Sequence, residues 1–407
     1  MSRYGKDNRQ KIIEAFAKLA FRKSFHDISL REISGLAGIS TTQFYTYFKS
    51  KDDMLKYYAE YLLKHVENIV RDSFRHQLGL SSKIRGLIYL FSTLMNDERL
   101  VAFHRVFREF EFIREDLARL YYANLFKMLN NILNENRILT GTINPSVATL
   151  TIIGSAEFIY LFRQIFDVPG NILMDIEVAG DLILKGLGGN KTPPAIHIKP
   201  SKDLVSLAEE YEIYRSANIS EDKWNILLAT INTISGKSFR NTKIYEIMEK
   251  TGYSVGMFYK FYKSKEELLR DLVILIGKTL RRYLTLCTSE ARDPIDLEIM
   301  GTACFLGFVE RNSNIYRIVR ESEYIEIEIA KAYYIPFLKA YAKRIDEDIK
   351  KGFIKIYEPE SLAITLMGIN HMAGVMNMIL GEPRGEDILA NLASIYTTGL
   401  LRKNIST

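Results

Sequence analysis

A stretch of 45 residues recurs 214 positions further along this 407-residue chain, and the repeat limits the fold more than any other sequence feature. Lys11 to Leu55 aligns with Asn225 to Leu269 without a gap, and 15 of the 45 positions are identical. Lys23-Ser24-Phe25 matches Lys237-Ser238-Phe239, and Lys49-Ser50-Lys51 matches Lys263-Ser264-Lys265. The correspondence continues in order: RVFREFEFI from Arg105 pairs with RIVRESEYI from Arg317, and Tyr121-Tyr122 with Tyr333-Tyr334. Pro145, Thr151 and Gly154 then pair with Pro359, Thr365 and Gly368. The chain reads as two related halves, not as a sum of unlike domains.

A single hydrophobic core stops growing near about 250 to 300 residues, so the length alone asks for at least two domains. The composition, 47% apolar and 26% charged, is that of a soluble globular chain and excludes disorder and collagen. Cys287 and Cys304 are too few for a disulfide framework or a metal knuckle, which predicts a reducing interior without structural zinc. The start, MSRYGKDNRQ, has no apolar core of a secretory signal. Leu362 to Leu380 carries no formal charge over 19 residues, long enough to span a bilayer. Its repeat partner carries Glu157 and Arg163, so both copies are expected to be buried core helices, with no membrane partner.

Each repeat opens as three short helices. Ile12, Ile13, Phe16, Leu19 and Ala20 recur at helical spacing. Ser29-x-x-Glu32 has the form of a capping box and starts a second helix, expected to turn Ile33, Leu36 and Ala37 inward and to stop at Gly38. Ser40 caps a third helix at once, with Phe44 and Phe48 on its inner face. This succession is a helix-turn-helix. Ser50-x-x-Asp53 opens a long fourth helix, repeated as Ser264-x-x-Glu267.

ISLREISGLAGISTTQFYTYFKSKDDML and TKIYEIMEKTGYSVGMFYKFYKSKEELL both resemble the DNA-binding segment of the tetracycline-repressor (TetR) family of transcriptional regulators. The resemblance is strong over these segments, and elsewhere extends only to length and helical character. It implies an all-α fold: two units, each a three-helix DNA-binding domain followed by a helical ligand-binding and dimerisation domain, packed as a pseudo-dimer. The expected division is 1–55 and 220–269 for the DNA-binding domains, 56–188 and 270–407 for the helical domains, and 189–219 for a Gly- and Pro-rich linker. That linker is long enough to allow any orientation of the second half.

Charge placement agrees independently. Met1 to Arg71 holds 13 basic and 8 acidic residues and Ser220 to Arg282 holds 12 and 7, leaving 30 basic against 34 acidic elsewhere. Positive charge sits where phosphates would be neutralised.

The N-terminal residues of a recognition helix reach base edges. In the first half these are Thr41, Thr42, Gln43 and Thr46, with Gln43 either bonding adenine bidentately or closing a capping box with Ser40. Tyr45, Tyr47, Lys49 and Lys51 match family positions that contact phosphate. In the second half Val255, Gly256, Met257 and Lys260 replace the base-facing set, while Tyr259, Lys263 and Lys265 keep the phosphate-facing one. Phe261-Tyr262 replaces Tyr47-Phe48, which removes a phosphate-facing hydroxyl or moves it inward. The operator is therefore expected to have two unlike half-sites. Arg3, Lys6 and Arg9 form either a minor-groove arm or, as the favoured reading, a disordered basic tail.

The family also implies an apolar effector pocket among the later aromatics, for which Phe103, Phe107, Tyr122, Phe158, Tyr316, Tyr334 and His371 are the candidates. Glu157 and His371 occupy equivalent places in the repeat. The expected partners are double-stranded DNA and a small-molecule effector, with the halves paired within the chain and further self-association left open. No cofactor and no metal are expected, and the location is cytoplasmic. No nucleotide loop, HExxH or nucleophile constellation occurs, and Arg105, Arg108, Glu109 and Glu111 read as helical ion pairs, so no enzyme is expected. The remaining alternative is a ligand-binding or scaffolding protein with a degenerate second DNA-binding head.

Overall fold

The computed structural model describes residues 3–400 except 24, 77–78, 94–99, 101, 103–105, 107–108, 112–113, 137–142, 189–195, 217–218, 235–237 and 355–356. Among the described residues the chain is helical without strands, and it divides into compact units of Met1–Asn136 and Arg137–Thr407.

The first unit contains α1 (Arg3–Ala20), α2 (Leu30–Ala37), α3 (Thr41–Tyr47), α4 (Lys51–Arg75), α5 (Leu80–Thr93) and α6 (Glu115–Glu135). The favoured reading of the basic tail is corrected here: Arg3 already lies in the first turn of α1. Ile12, Phe16, Ile33, Phe44 and Tyr58 are fully buried and form the centre of the head, with Phe16 edge-on to Tyr58 at 5.3 Å between centroids. Both reciprocal bonds of the Ser29/Glu32 box are made, and Gly38 takes the left-handed φ of 70° that a side chain would resist. Leu36 departs from expectation and is 53% exposed. The buried stripe of this two-turn helix runs through Ile33 and Ser34, and Leu36 falls about a quarter turn outside it.

The second unit begins with the last two helices of the first half, α7 (Pro145–Tyr160) and α8 (Ile172–Lys185). A short run, α9 (Leu204–Glu210) and α10 (Ile213–Ser216), leads to the second head of α11 (Glu221–Ile234), α12 (Ile244–Thr251) and α13 (Val255–Phe261). The remainder is α14 (Lys265–Cys287), α15 (Pro294–Arg311), α16 (Ser313–Ile325), α17 (Ile327–Lys350), α18 (Pro359–Ile379) and α19 (Gly385–Thr398). The compact-unit boundary thus falls ahead of α7 and not at the linker, because α7 and α8 bury their apolar faces on α18 and α19.

Contacts between these four helices are reciprocal. A Cβ on Gly154 would stand 2.4 Å from the carbonyl oxygen of Gly368, and one on Gly368 would stand 2.1 Å from that of Gly154. Leu187 N donates to Tyr396 O and Leu400 N to Ile183 O, each at 2.8 Å. A self-complementary contact of this kind is what a twofold interface makes. Two stretches, Pro145–Ile165 and Pro359–Ile379, are long and apolar enough to cross a membrane, yet 83% and 78% of their apolar windows are buried inside the unit. Arg163, at the end of the first, donates to both oxygens of Asp175 (2.7 and 2.9 Å) and to Glu360 (2.7 Å).

The linker is docked where described: Ile198 N donates to Glu386, Lys199 N to Ala303 O, and Asn312 bonds both Lys202 O and Leu204 N. Gly307 is required beneath it, since a Cβ there would lie 1.8 Å from Lys199 O. The two cysteines are not free thiols. Cys287 at the end of α14 and Cys304 in α15 form a single disulfide with their Cα atoms 6.4 Å apart, because the turn between the helices folds them together.

Candidate nucleic-acid interface and ligand cavity

Both recognition helices present their N-terminal ends outward. Thr41, Thr42, Gln43, Thr46 and Lys49 are exposed, Tyr45 is 55% exposed, and Phe44 and Phe48 hold α3 to the core. Gln43 closes a capping box: its Oε1 accepts from Ser40 N at 2.9 Å, while Ser40 Oγ accepts from Gln43 N at 3.1 Å. The acceptor half of a bidentate adenine contact is thereby occupied, which corrects that reading in favour of the cap. Tyr47 Oη accepts from Asn8 at 2.7 Å, which leaves its own hydrogen to be donated. Arg9 lies 5.4 Å from the ring centres of Phe48 and Tyr57, the geometry of a cation–π contact.

In the second head Val255, Gly256, Tyr259, Lys260 and Lys263 are exposed, and Met257 is half-buried. Ser254 caps α13 by position but makes no side-chain cap bond; Met257 N donates to Ser254 O at 3.0 Å, and the Met257 side chain has no acceptor for the reverse bond that Gln43 makes. The hydroxyl that the sequence left in question has moved inward: Tyr262 is 2% exposed, with Lys223 over its ring. Burial and the Asp271 charge push its pKa above the usual phenol value.

Lys51 and Lys265 are corrected. Lys51 Nζ donates to Phe25 O (2.8 Å) and Ile28 O (2.7 Å) and sits 3.7 Å from the Phe25 ring centre. Lys265 Nζ donates to the carbonyls of Phe239, Arg240 and Thr242 at 3.0 to 3.1 Å. These ammonium groups tie down the loop between the first two head helices, so they do not stand out toward a phosphate. Burial lowers the pKa of both.

The same loops are held from the other side by carboxylates. Phe25 N donates to Glu109 at 3.0 Å, and Phe239 N and Arg240 N donate to Glu321 at 2.7 and 2.9 Å. Glu109 and Glu321 are repeat equivalents, so each head is joined to its body by one acid and one lysine. Glu109 therefore has a task that the helical ion-pair reading did not include; the expected ion-pair partners Arg105 and Arg108 lie outside the described residues. A Glu within a recurring Arg-x-x-Arg-Glu pattern was the available signal, but its target is distant in sequence.

The second unit contains a cavity of about 510 Å³. Four of the proposed effector residues, Phe158, Tyr316, Tyr334 and His371, line it. Tyr316 Oη and His371 Nδ1 are hydrogen-bonded, and Tyr334 donates to Glu323 at 2.7 Å. Tyr122 lies in the other unit, buried and bonded to Glu111, and Phe103 and Phe107 lie outside the described residues. Sequence reasoning missed Arg281, Phe337, Tyr341, Arg344 and Glu298 in the cavity wall. Glu157, equivalent to His371, is buried 5% exposed in α7.

Two outward-facing, glycine-turned recognition helices with basic flanks define a helix-turn-helix DNA-binding protein. The sequence model described as bacterial regulatory proteins, tetR family, matches at residues 12–58 and again at 226–272. The chain thus carries the DNA-binding domain of tetR-family transcriptional regulators twice, in tandem. No curated protein matches it. Solved structures similar to it include the fatty acid degradation regulator FadR from Bacillus halodurans, 16% identical with a TM-score of 0.37, over 43% of this chain and 93% of that one. Another is the transcriptional regulator FadR from Bacillus subtilis in complex with stearoyl-CoA, 17% identical with a TM-score of 0.35, over 42% of this chain and 96% of that one.

Proposed function

We propose that the chain is a cytoplasmic repressor whose two heads bind one operator with two unlike half-sites, and that a small apolar ligand releases it. The halves act as an intramolecular pseudo-dimer, a reading supported by the reciprocal contacts at Gly154 and Gly368. The observation that carries ligand control is the double role of α16. It places Tyr316 in the cavity wall and, little more than a turn later, Glu321 in the joint to the second head. A ligand that fits one position of α16 better than another shifts the head with it, and the DNA-bound population follows. Release needs only that the two recognition helices lose the spacing of about 34 to 36 Å set by successive major grooves.

Unlike half-sites follow from the unlike reading faces. Thr41, Thr42 and Thr46 offer hydroxyls and methyls, whereas α13 offers Val255, Gly256 and Met257 with Lys260 as its one charged reader. Footprinting on operator sequences selected from a random pool tests this. Two different half-sites are expected; a perfect inverted repeat would refute it. Protection of a single half-site would favour the second reading, a binding protein whose second head no longer reads DNA, which the apolar Val255 and Met257 motivate.

A further inference from the structure

The cavity contains a charge that the fold does not balance. Its acidic residue, Glu298, is saturated by the Tyr341 hydroxyl and the Arg344 guanidinium, and Arg344 also pairs with Asp348 at 3.0 Å. Its histidine is engaged by Tyr316. Arg281, on α14, has no such partner. Its guanidinium carbon lies 5.0 Å from the centre of the Phe337 ring, and its buried Nη1 has no hydrogen-bond partner among the described residues. Burial lowers its pKa, with only the Tyr333 phenol opposing. Arg281 as a whole is half-buried, but leaving its buried Nη1 unpaired is costly, since hydrogen bonds of charged groups are the ones most expensive to leave unmade.

The fold itself does not demand this cation. The equivalent position in the first half, counted without a gap along the matching helix α4, is Glu67, which pairs at the surface with Lys64 and Arg71 at 2.9 Å. The walls beside Arg281 are aromatic and aliphatic: Phe305, Tyr333, Phe337, Leu284 and Met367. The volume is within the range of about 300 to 1,000 Å³ that small-molecule sites occupy. One positive charge set into an apolar chamber is complementary to one kind of guest.

We propose that the cavity takes a small amphipathic monoanion, an apolar body bearing one carboxylate-type head, and that Arg281 receives the head while the rings enclose the body. The inference rests on the reading of this cavity as the effector site and narrows its ligand from apolar to apolar and anionic. Arg281 then also selects between ligands, since a neutral guest of the same shape leaves the guanidinium unpaired.

The test is calorimetric titration of the full chain with octanoate, dodecanoate and naphthoate, each compared with the uncharged alcohol of the same skeleton. At least one acid is expected to bind about tenfold or more tighter than its alcohol. Arg281→Met should abolish that preference while leaving the alcohol's affinity, and Arg281→Lys should retain part of it. Equal affinity for acid and alcohol in the unaltered protein overturns the proposal, whether or not the Met variant folds. So does a preference that survives Arg281→Met, or no binding of any acid up to about 1 mM. No DNA is present in the titration, so a failure of operator binding would be seen separately and would leave this result standing.

Discussion

The two heads share their scaffolding and differ in what they show to DNA. Each has a left-handed glycine between its second and third helices, Gly38 and Gly252, and a Ser-capped fourth helix. Each also has the loop clasped by a lysine and a glutamate, Lys51 with Glu109 and Lys265 with Glu321. These are positions where backbone groups must be satisfied, and few residue types can do it. The outward faces of α3 and α13 carry no such obligation, and there the halves have parted: Thr, Thr, Gln against Val, Gly, Met. Divergence within one chain therefore separates what holds a head together from what a head reads.

The largest effect that sharpens this contrast lies where the halves meet unequally. Arg163 is buried in an ion-pair network, whereas its equivalent Asn377 donates to Glu310 at a more exposed site. Arg163→Met is expected to cost roughly 3–5 kcal/mol by leaving Asp175 uncompensated, and Asn377→Leu less than about 1, both read from urea unfolding. Next come the clasps. Glu321→Ala abandons two backbone amides and should cost about 2–3 kcal/mol, and Glu109→Ala, which abandons the Phe25 amide, should destabilise in the same direction. If Glu321→Ala lowers only DNA affinity and not stability, the clasp is no structural feature.

At the reading faces, Thr42→Ala should weaken binding to the selected operator by about 1 kcal/mol through its own half-site, while Gly256→Ala, whose Cβ would meet only the Ser254 hydroxyl at an ordinary 3.6 Å, changes little. Lys49→Ala and Lys263→Ala should each reduce the slope of log affinity against log salt by about 1 without changing which sequence is preferred. A slope that responds only to Lys49→Ala would mean that the second head is idle. The smallest effect concerns acid. Bonds from Lys23 and from Ser29 hold the Glu32 carboxyl at about 2 rather than 4.5. A depressed carboxylate stabilises above its ordinary range, so its contribution fades as pH falls from about 4.5 through about 2. The difference between the protein and Glu32→Gln in helix content should vanish over that interval.

The repeat, the capping boxes at Ser29 and Ser40 and the glycine turns were legible because each is a local pattern with one physical cause. Leu36 was misread, since in a helix of eight residues the apolar stripe is too short to fix its own phase. The tasks of Lys51, Lys265 and Glu109 were hidden because their partners are main-chain atoms, which leave no mark in sequence. Arg281 was illegible for the opposite reason: what distinguishes it is the lack of a partner, and only packing reveals that. The disulfide escaped notice because two cysteines 17 residues apart say nothing of the turn that brings them together.

The mutual hydrogen bonds of Leu187 with Tyr396 and Leu400 with Ile183 join helices of one polypeptide. A regulator assembled from separate subunits comes apart on dilution, and its grip on DNA then rises with the square of its abundance. On the proposed reading the pairing is settled when the chain folds, so operator occupancy should rise with the first power of copy number.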